Sequence, residues 1–192
     1  MTDEDAALVK AFQAGDRAAF DRLVLKHKDR LFNLVYWYLG DYQQANDCAQ
    51  EIFIKVFKNL KRFRFESAFS TWLYKIAVNT CKNMLQSASH RWEKRTIPLE
   101  NPEGSKRKNP SLEMPDAGPS PANGLERKER LMLIREAIRA LPEKQNQVVV
   151  LRDIQGLSYG EISEITGMNL GTIKSRLARG RLELRNRLEG KV

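Results

Sequence analysis

The sequence has little of what metal, redox or covalent chemistry needs. Its 192 residues include two cysteines and two histidines. Cys48 and Cys81 stand far apart with no CxxC, and His27 and His90 are the other soft ligands; that donor set argues against a metal site. Each cysteine reads as a small buried apolar residue in a reducing compartment. No nucleophile-and-base pair and no glycine-rich phosphate cradle is present, which argues against an enzyme, a catalytic residue or a cofactor. Long apolar runs are missing as well: the best, residues 31–39, contains Asn33 and is too short to cross a bilayer. The acidic start, Met1-Thr2-Asp3-Glu4-Asp5, lacks the positive flank and apolar run of a secretory leader. A cytoplasmic protein without membrane insertion is expected. Acidic residues are in deficit, 24 against 33 Lys and Arg for a formal charge of +9, and that balance suits a polyanionic partner such as nucleic acid or an anionic surface.

Proline is rare outside one stretch. Between residue 96 and about residue 124 lie Pro98, Pro102, Pro110, Pro115, Pro119 and Pro121, with Gly104, Gly118, Gly124 and few bulky apolar residues. Such a segment cannot bury enough surface to offset its ordering entropy, so it reads as a flexible linker, with Lys106-Arg107-Lys108 as solvated charge. On either side the apolar residues recur at three- and four-residue steps. That period predicts helices over 6–12, from a cap at Asp16 to a stop at Gly40, over 46–60 and over 70–86. After the linker it predicts helices over 125–141, 143–153, 159–166 and 170–188, punctuated by Pro142, Gly156 and Gly167. Val148-Val149-Val150-Leu151 is apolar enough for a strand, but no segment alternates with period two. The expected fold is all-α: two small helical domains, 1–90 and 125–192, joined by a flexible linker over 91–124, the C-terminal one a helix-turn-helix domain.

The C-terminal pattern is the strongest local signal. Ser158 and Glu161 have capping-box spacing, Gly167 sits where a tight turn between helices needs positive φ, and Asn169 can cap the helix that follows. On that last helix Ile173, Leu177, Leu184 and Leu188 share a core face, while Gly171, Thr172, Ser175 and Arg179 point outward, flanked by Lys174 and Arg176. Small and hydroxyl-bearing residues let a helix approach the floor of a major groove, and arginines pair with guanine edges or phosphates. An ordinary solvated charge run is the alternative. Its coincidence with the turn signature favours DNA reading; Arg185 and Arg187 are placed for phosphate or solvent.

Two N-terminal helices carry unusual outer faces. The 46–60 helix buries Ala49, Ile52, Phe53, Val56 and Leu60, and its other side carries Asp47, Gln50, Glu51, Lys55 and Lys58 around Ile54. An apolar residue in a polar stripe fits a partner surface and equally an isolated exposed side chain. The 70–86 helix sends Leu73, Ala77, Cys81 and Met84 inward and shows Trp72, Lys75, Ile76, Asn79, Lys82 and Asn83 on the other face. Cations, amides and an aromatic together can hold phosphates, bond base edges and stack on unpaired bases. The loop before it, Phe63-Arg64-Phe65-Glu66-Ser67-Ala68-Phe69, has three aromatic rings. They serve either as core anchors or as the wall of a pocket for an extruded base.

Three blocks in register, Asp47-Cys48-Ala49-Gln50-Glu51-Ile52-Phe53, Phe69-Ser70-Thr71-Trp72-Leu73-Tyr74-Lys75-Ile76-Ala77-Val78-Asn79 and Leu157 to Ile162 with Gly171 to Leu177, closely resemble the extracytoplasmic-function sigma factors of RNA polymerase. The resemblance covers the chain apart from the linker. It implies that Asp47, Gln50, Glu51, Phe53, Ile54 and Phe57 engage the clamp of core RNA polymerase. It implies that Phe63, Phe65, Ser67, Phe69, Trp72, Lys75, Asn79 and Lys82 melt and read the -10 element of promoter DNA. It further implies that Gly171, Thr172, Lys174, Ser175, Arg176 and Arg179 read the -35 element, and that an anti-sigma factor restrains the protein. Cys48-Ala49 departs from the larger aliphatic pair more usual in the family, and Ser163 from its usual alanine. A stand-alone helix-turn-helix regulator would bind duplex DNA without needing the aromatic loop or the 47–57 face, and an RNA-binding helical protein would explain the charge alone.

Overall fold

The computed structural model describes residues 3–95 and 121–190, and every regular element among them is helical. The N-terminal half holds α1 (Asp3–Gln13), α2 (Ala18–Leu39), α3 (Tyr42–Leu60) and α4 (Phe69–Arg95). The C-terminal half holds α5 (Pro121–Arg139), α6 (Glu143–Val149), α7 (Tyr159–Thr166) and α8 (Leu170–Leu188). The helix expected over 143–153 divides: after α6 the chain winds into a π-helical turn, Val150–Ile154, closed by Gln155 N–H donating to the Val150 carbonyl at 3.0 Å. Helix enters both ends of the segment expected as linker, 91–124: α4 runs to Arg95 and α5 begins at Pro121. Proline suits a first helical position, where its missing N–H has no partner to lose. The rest of the expected linker lies outside the described residues.

Local chemistry sets the other ends. Asp16 Oδ1 accepts from Ala18 N–H at 2.9 Å at the start of α2, and Gly40, at φ 73°, closes it in the left-handed conformation. Asp41 then caps α3 by accepting from Gln44 N–H at 2.9 Å, so that helix starts a turn earlier than its apolar period suggests. The expected caps of the helix-turn-helix are all made: the Ser158–Glu161 capping box, Gly167 at φ 71°, and Asn169 accepting from Thr172 N–H at 2.8 Å.

In the N-terminal half α2 lies at the centre, packed on α1, α3 and α4. Leu23, Leu31, Leu34, Ile52, Leu60 and Leu73 are fully buried there, each stabilising the bundle by roughly 1.5–3 kcal/mol. Cys48 and Cys81 are buried in the same core with their Sγ atoms 3.9 Å apart, a meeting of α3 with α4 that their sequence separation gave no sign of. In the C-terminal half α8 crosses α6 at Gly180, where a Cβ would come within 2.8 Å of Val149 Cγ2; only glycine allows this approach. The two halves also touch, α4 lying along α7 and α2 against α5 and the π turn.

Candidate nucleic-acid interface

The strand-reading candidates gather where α3 gives way to α4. Gln13 of α1 ties this turn down, its Nε2 donating to the carbonyls of Leu60 at 3.2 Å and Phe63 at 2.9 Å. Phe69 is 2% exposed, with the His27 ring edge-on at 5.2 Å. It is a core anchor at the first residue of α4, and it does not reach the surface. Phe63 is nearly buried yet keeps an edge on the cleft described below. Phe65 is half-buried with φ of 58°, a left-handed conformation that a bulky residue holds only where its surroundings impose it. Its ring meets Phe63 at 5.1 Å, and Lys10 Nζ stands 5.8 Å from the ring centre.

Phe63 and Trp72, with ring centres 5.1 Å apart, floor an open cleft of about 510 Å³. Ser67 and Thr71 lie in its wall, and Arg62, Arg64 and Lys75 bring cations to it. Aromatic faces beside cations are what single-stranded nucleic acid needs, one to stack a base and the other to hold the backbone. Arg62, Arg64 and Thr71 were missed in the sequence; the alternation of arginine with phenylalanine over 62–65 was the available signal. Asn79 and Lys82, further along α4, are exposed and open into a second cleft of about 400 Å³.

On α3, Asp47, Gln50 and Glu51 are exposed, as are Ile54 at 54% and Phe57 at 42%. Phe53 is only half-buried. Ile54 and Phe57, two large apolar side chains one turn apart, thus lie together on the exposed side of α3. Phe57 is steadied edge-on by Phe12 at 5.4 Å and Phe20 at 5.0 Å, and Lys55 bridges Glu51 at 2.7 Å and Thr80 Oγ1 at 3.2 Å.

Along α8, Ile173 and Leu177 are buried while Leu184 and Leu188 are half-buried. Gly171, Lys174, Ser175 and Arg179 are exposed and Thr172 half-exposed, with the helix N-terminus adding positive potential beneath them. Arg176 departs from its expected outward pose, since its Nη1 lies 2.7 Å from Met168 Sδ in the turn. The charge run also divides. Arg181 makes a two-pronged bond to Asp153 at 2.5 and 3.1 Å, and Arg187 pairs with Glu183 at 2.9 Å; both are tied into their own domain, whereas Arg179 and Arg185 are exposed.

A buried polar group braces the cleft from behind. Asp5, 5% exposed, has Oδ1 2.8 Å from Lys26 Nζ and Oδ2 3.2 Å from His27 Nε2. Burial, which alone would raise the Asp5 carboxyl, is outweighed by Lys26 and His27, which hold it below its ordinary value. For His27 burial prevails over the attraction of Asp5 and lowers its pKa.

Among the described residues no group of three or more His, Cys, Asp and Glu could hold a metal ion, and no helix is long and apolar enough to cross a membrane. Residues 23–91 match the family described as Sigma-70 region 2, and residues 131–184 match Sigma-70, region 4. The RNA polymerase sigma-H factor of Pseudomonas aeruginosa is 36% identical over 93% of this chain and 91% of its own length. The ECF RNA polymerase sigma-E factors of Haemophilus influenzae and Escherichia coli K12 are each 35% identical over 96% of this chain, covering 95% and 94% of theirs. The solved structure of CnrH in complex with the cytosolic domain of CnrY aligns over 99% of this chain and 100% of that one, with a TM-score of 0.71 at 20% identity. The sigma factor RpoE in complex with the anti-sigma factor NepR, from Bartonella quintana, aligns over 90% of this chain and 98% of that one, with a TM-score of 0.67 at 21% identity. At such identities the likeness is one of fold.

Proposed function

This chain belongs to the extracytoplasmic-function sigma factors of RNA polymerase, and from that membership we propose how its surfaces divide the work of starting a transcript. As a promoter-recognising sigma factor it brings core polymerase to DNA. The α3 stripe of Asp47, Gln50, Glu51, Ile54 and Phe57, with the edge of Phe53, is the polymerase-docking surface. The cleft of Phe63, Ser67, Trp72 and Lys75, shaped by Phe65 and extended by Asn79 and Lys82, takes the melted -10 strand; Phe69 supports it from the core. The N-terminal face of α8, Gly171, Thr172, Lys174, Ser175 and Arg179, reads the -35 duplex, and Arg176 joins it if released from Met168.

The observation that carries this division is the cleft, an aromatic floor beside Arg62, Arg64 and Lys75. Duplex reading alone has no use for such a floor, whereas capture of an unstacked base does. Opening is then driven by trapping the single strand, with no bond made or broken by this chain. The domains are assigned as 1–90 and 125–192 with the proline-rich linker between them, the location as the cytoplasm, and restraint by an anti-sigma factor as a further partner.

The test is whether the purified protein co-elutes with sigma-free core polymerase and lets it start transcripts at discrete sites on the protein's own genomic promoter fragments. Co-elution with specific starts is the expected result. Tight duplex binding by the protein alone, without co-elution, would instead identify a stand-alone regulator.

A further inference from the structure

We propose that Cys48 and Cys81 form an oxidisable pair: a peroxide joins them in a disulfide that staples α3 to α4, and cellular thiols remove it. The pair lies behind the outer faces of both helices, so its chemistry is independent of what those faces bind.

Two cysteines are all this chain has, and the fold brings them together from 33 residues apart. Their Sγ atoms touch at 3.9 Å in the seam where α3 packs on α4. Ala45, three residues before Cys48, and Ala77, four before Cys81, are buried on the same two faces, so the surroundings of the pair are small as well as apolar. A disulfide holds its sulfurs about 2.05 Å apart, so roughly 2 Å must be gained, shared between the χ1 rotations of two short side chains. A buried thiol by itself is inert. Cys48 is not by itself: the Cys81 Sγ–H donates to it and holds its thiol below the ordinary value against the effect of burial, while the same bond and burial push Cys81 up. Cys48 is therefore the nucleophile and Cys81 the thiol that resolves it.

Access comes through the polar edge of the same seam. Lys55 Nζ joins Glu51 at 2.7 Å to Thr80 Oγ1 at 3.2 Å, across from α3 to the residue before Cys81, and Lys55 and Glu51 are open to solvent. Exposed links of this kind are weak, so the seam can part far enough for a molecule as small as hydrogen peroxide. The Cys48 thiolate attacks one peroxide oxygen: an S–O bond forms, the O–O bond breaks, and the departing hydroxide takes up the proton that Cys48 lost and leaves as water. Cys81 then attacks the sulfur of the resulting sulfenic acid; the S–S bond forms, the S–O bond breaks, and the second hydroxide leaves as water with the Cys81 proton. Two electrons pass from the two sulfurs to the peroxide. In a reducing compartment such a bridge is transient. While it lasts, the two helices cannot separate.

The reduced full chain would be treated with hydrogen peroxide and read by intact mass and non-reducing peptide mapping. The expected product is a monomer lighter by two hydrogens, with Cys48 linked to Cys81 and the link removed by dithiothreitol. At equilibrium in glutathione buffers, the folded chain should be half-oxidised at a ratio of reduced to oxidised glutathione about tenfold or more above that of the same chain unfolded in urea, because folding holds the thiols in contact. Dimedone, which traps sulfenic acid, should label Cys48 in Cys81→Ala about tenfold faster than it labels Cys81 in Cys48→Ala. The wild-type mass and glutathione measurements decide the matter even where a variant loses its helical circular dichroism. Thiols that stay reduced under peroxide, bridges formed only between chains, no advantage of the folded over the unfolded chain, or trapping at Cys81 as fast as at Cys48 would each overturn the proposal.

Discussion

His27 sits in the core behind the aromatic cleft, edge-on to Phe69 and beside Asp5. Its pKa is lowered from 6.5, chiefly by burial, with Lys26 and Arg30 adding repulsion against the pull of Asp5. The unfolded chain therefore binds a proton that the folded chain refuses. Stability is full above about pH 6.5 and falls as pH drops from there toward the folded pKa, by at most about 1.4 kcal/mol per pH unit. Asp5 contributes below this window, because its own unfolded value is 3.8. Urea midpoints measured between about pH 7 and pH 5 should decline in wild type and flatten in His27→Gln; an equal decline in both would assign the titration elsewhere. Asn79, exposed on α4, is one of the residues proposed to read the -10 strand. Its replacement by alanine should blunt discrimination among -10 sequences by roughly tenfold, about the worth of one good base contact, and leave polymerase binding intact in a co-elution assay.

At the scale of the element, helices here are placed by what they can approach. Gly180 lets α8 lie on α6, since a Cβ would stand 2.8 Å from Val149 Cγ2 and Val149 is itself buried. Gly180→Val should destabilise by about 1–3 kcal/mol through overpacking, seen as a lower thermal midpoint, even though valine removes a flexible residue from a helix. Helix α3 offers the contrasting case of exposed side chains, Gln50 and Ile54, that lie outside the core. Gln50→Ala with Ile54→Ala should leave the thermal midpoint nearly unchanged, within about 0.5 kcal/mol, and abolish co-elution with core polymerase. Loss of promoter selectivity with co-elution preserved would exchange the roles assigned to α3 and α4.

The whole molecule is basic, and its contacts with DNA should carry a salt signature. In the polymerase-bound state, Arg179→Ala should reduce the slope of log affinity against log salt by about one and weaken -35 binding, while substitution of Arg181, already paired with Asp153, should change that slope less. At this scale the division between sequence and structure is clearest. Helix, cap and turn are local, so the period of apolar residues, the Ser158–Glu161 box, Gly167, Asn169 and the exposed α3 stripe were legible from spacing alone. Neighbours in space that are distant in sequence were not: the meeting of Cys48 with Cys81, the π turn at Val150–Ile154 and the stacking of Arg135 on Tyr36 and Trp37 have no periodic trace. The aromatic loop shows both sides of this. Its composition marked it as special, but which rings are core and which are surface depends on what lies behind them, and Phe69 turned inward because His27 and the body of α2 are there to receive it. The amino-acid order by itself determined the helices and most of their faces, because those follow from side chains a turn apart. Tertiary structure alone decided that Asn79 and Lys82 of α4 share a cleft with Thr172 and Arg176 of α8, since that depends on the long-range contacts by which one half finds the other.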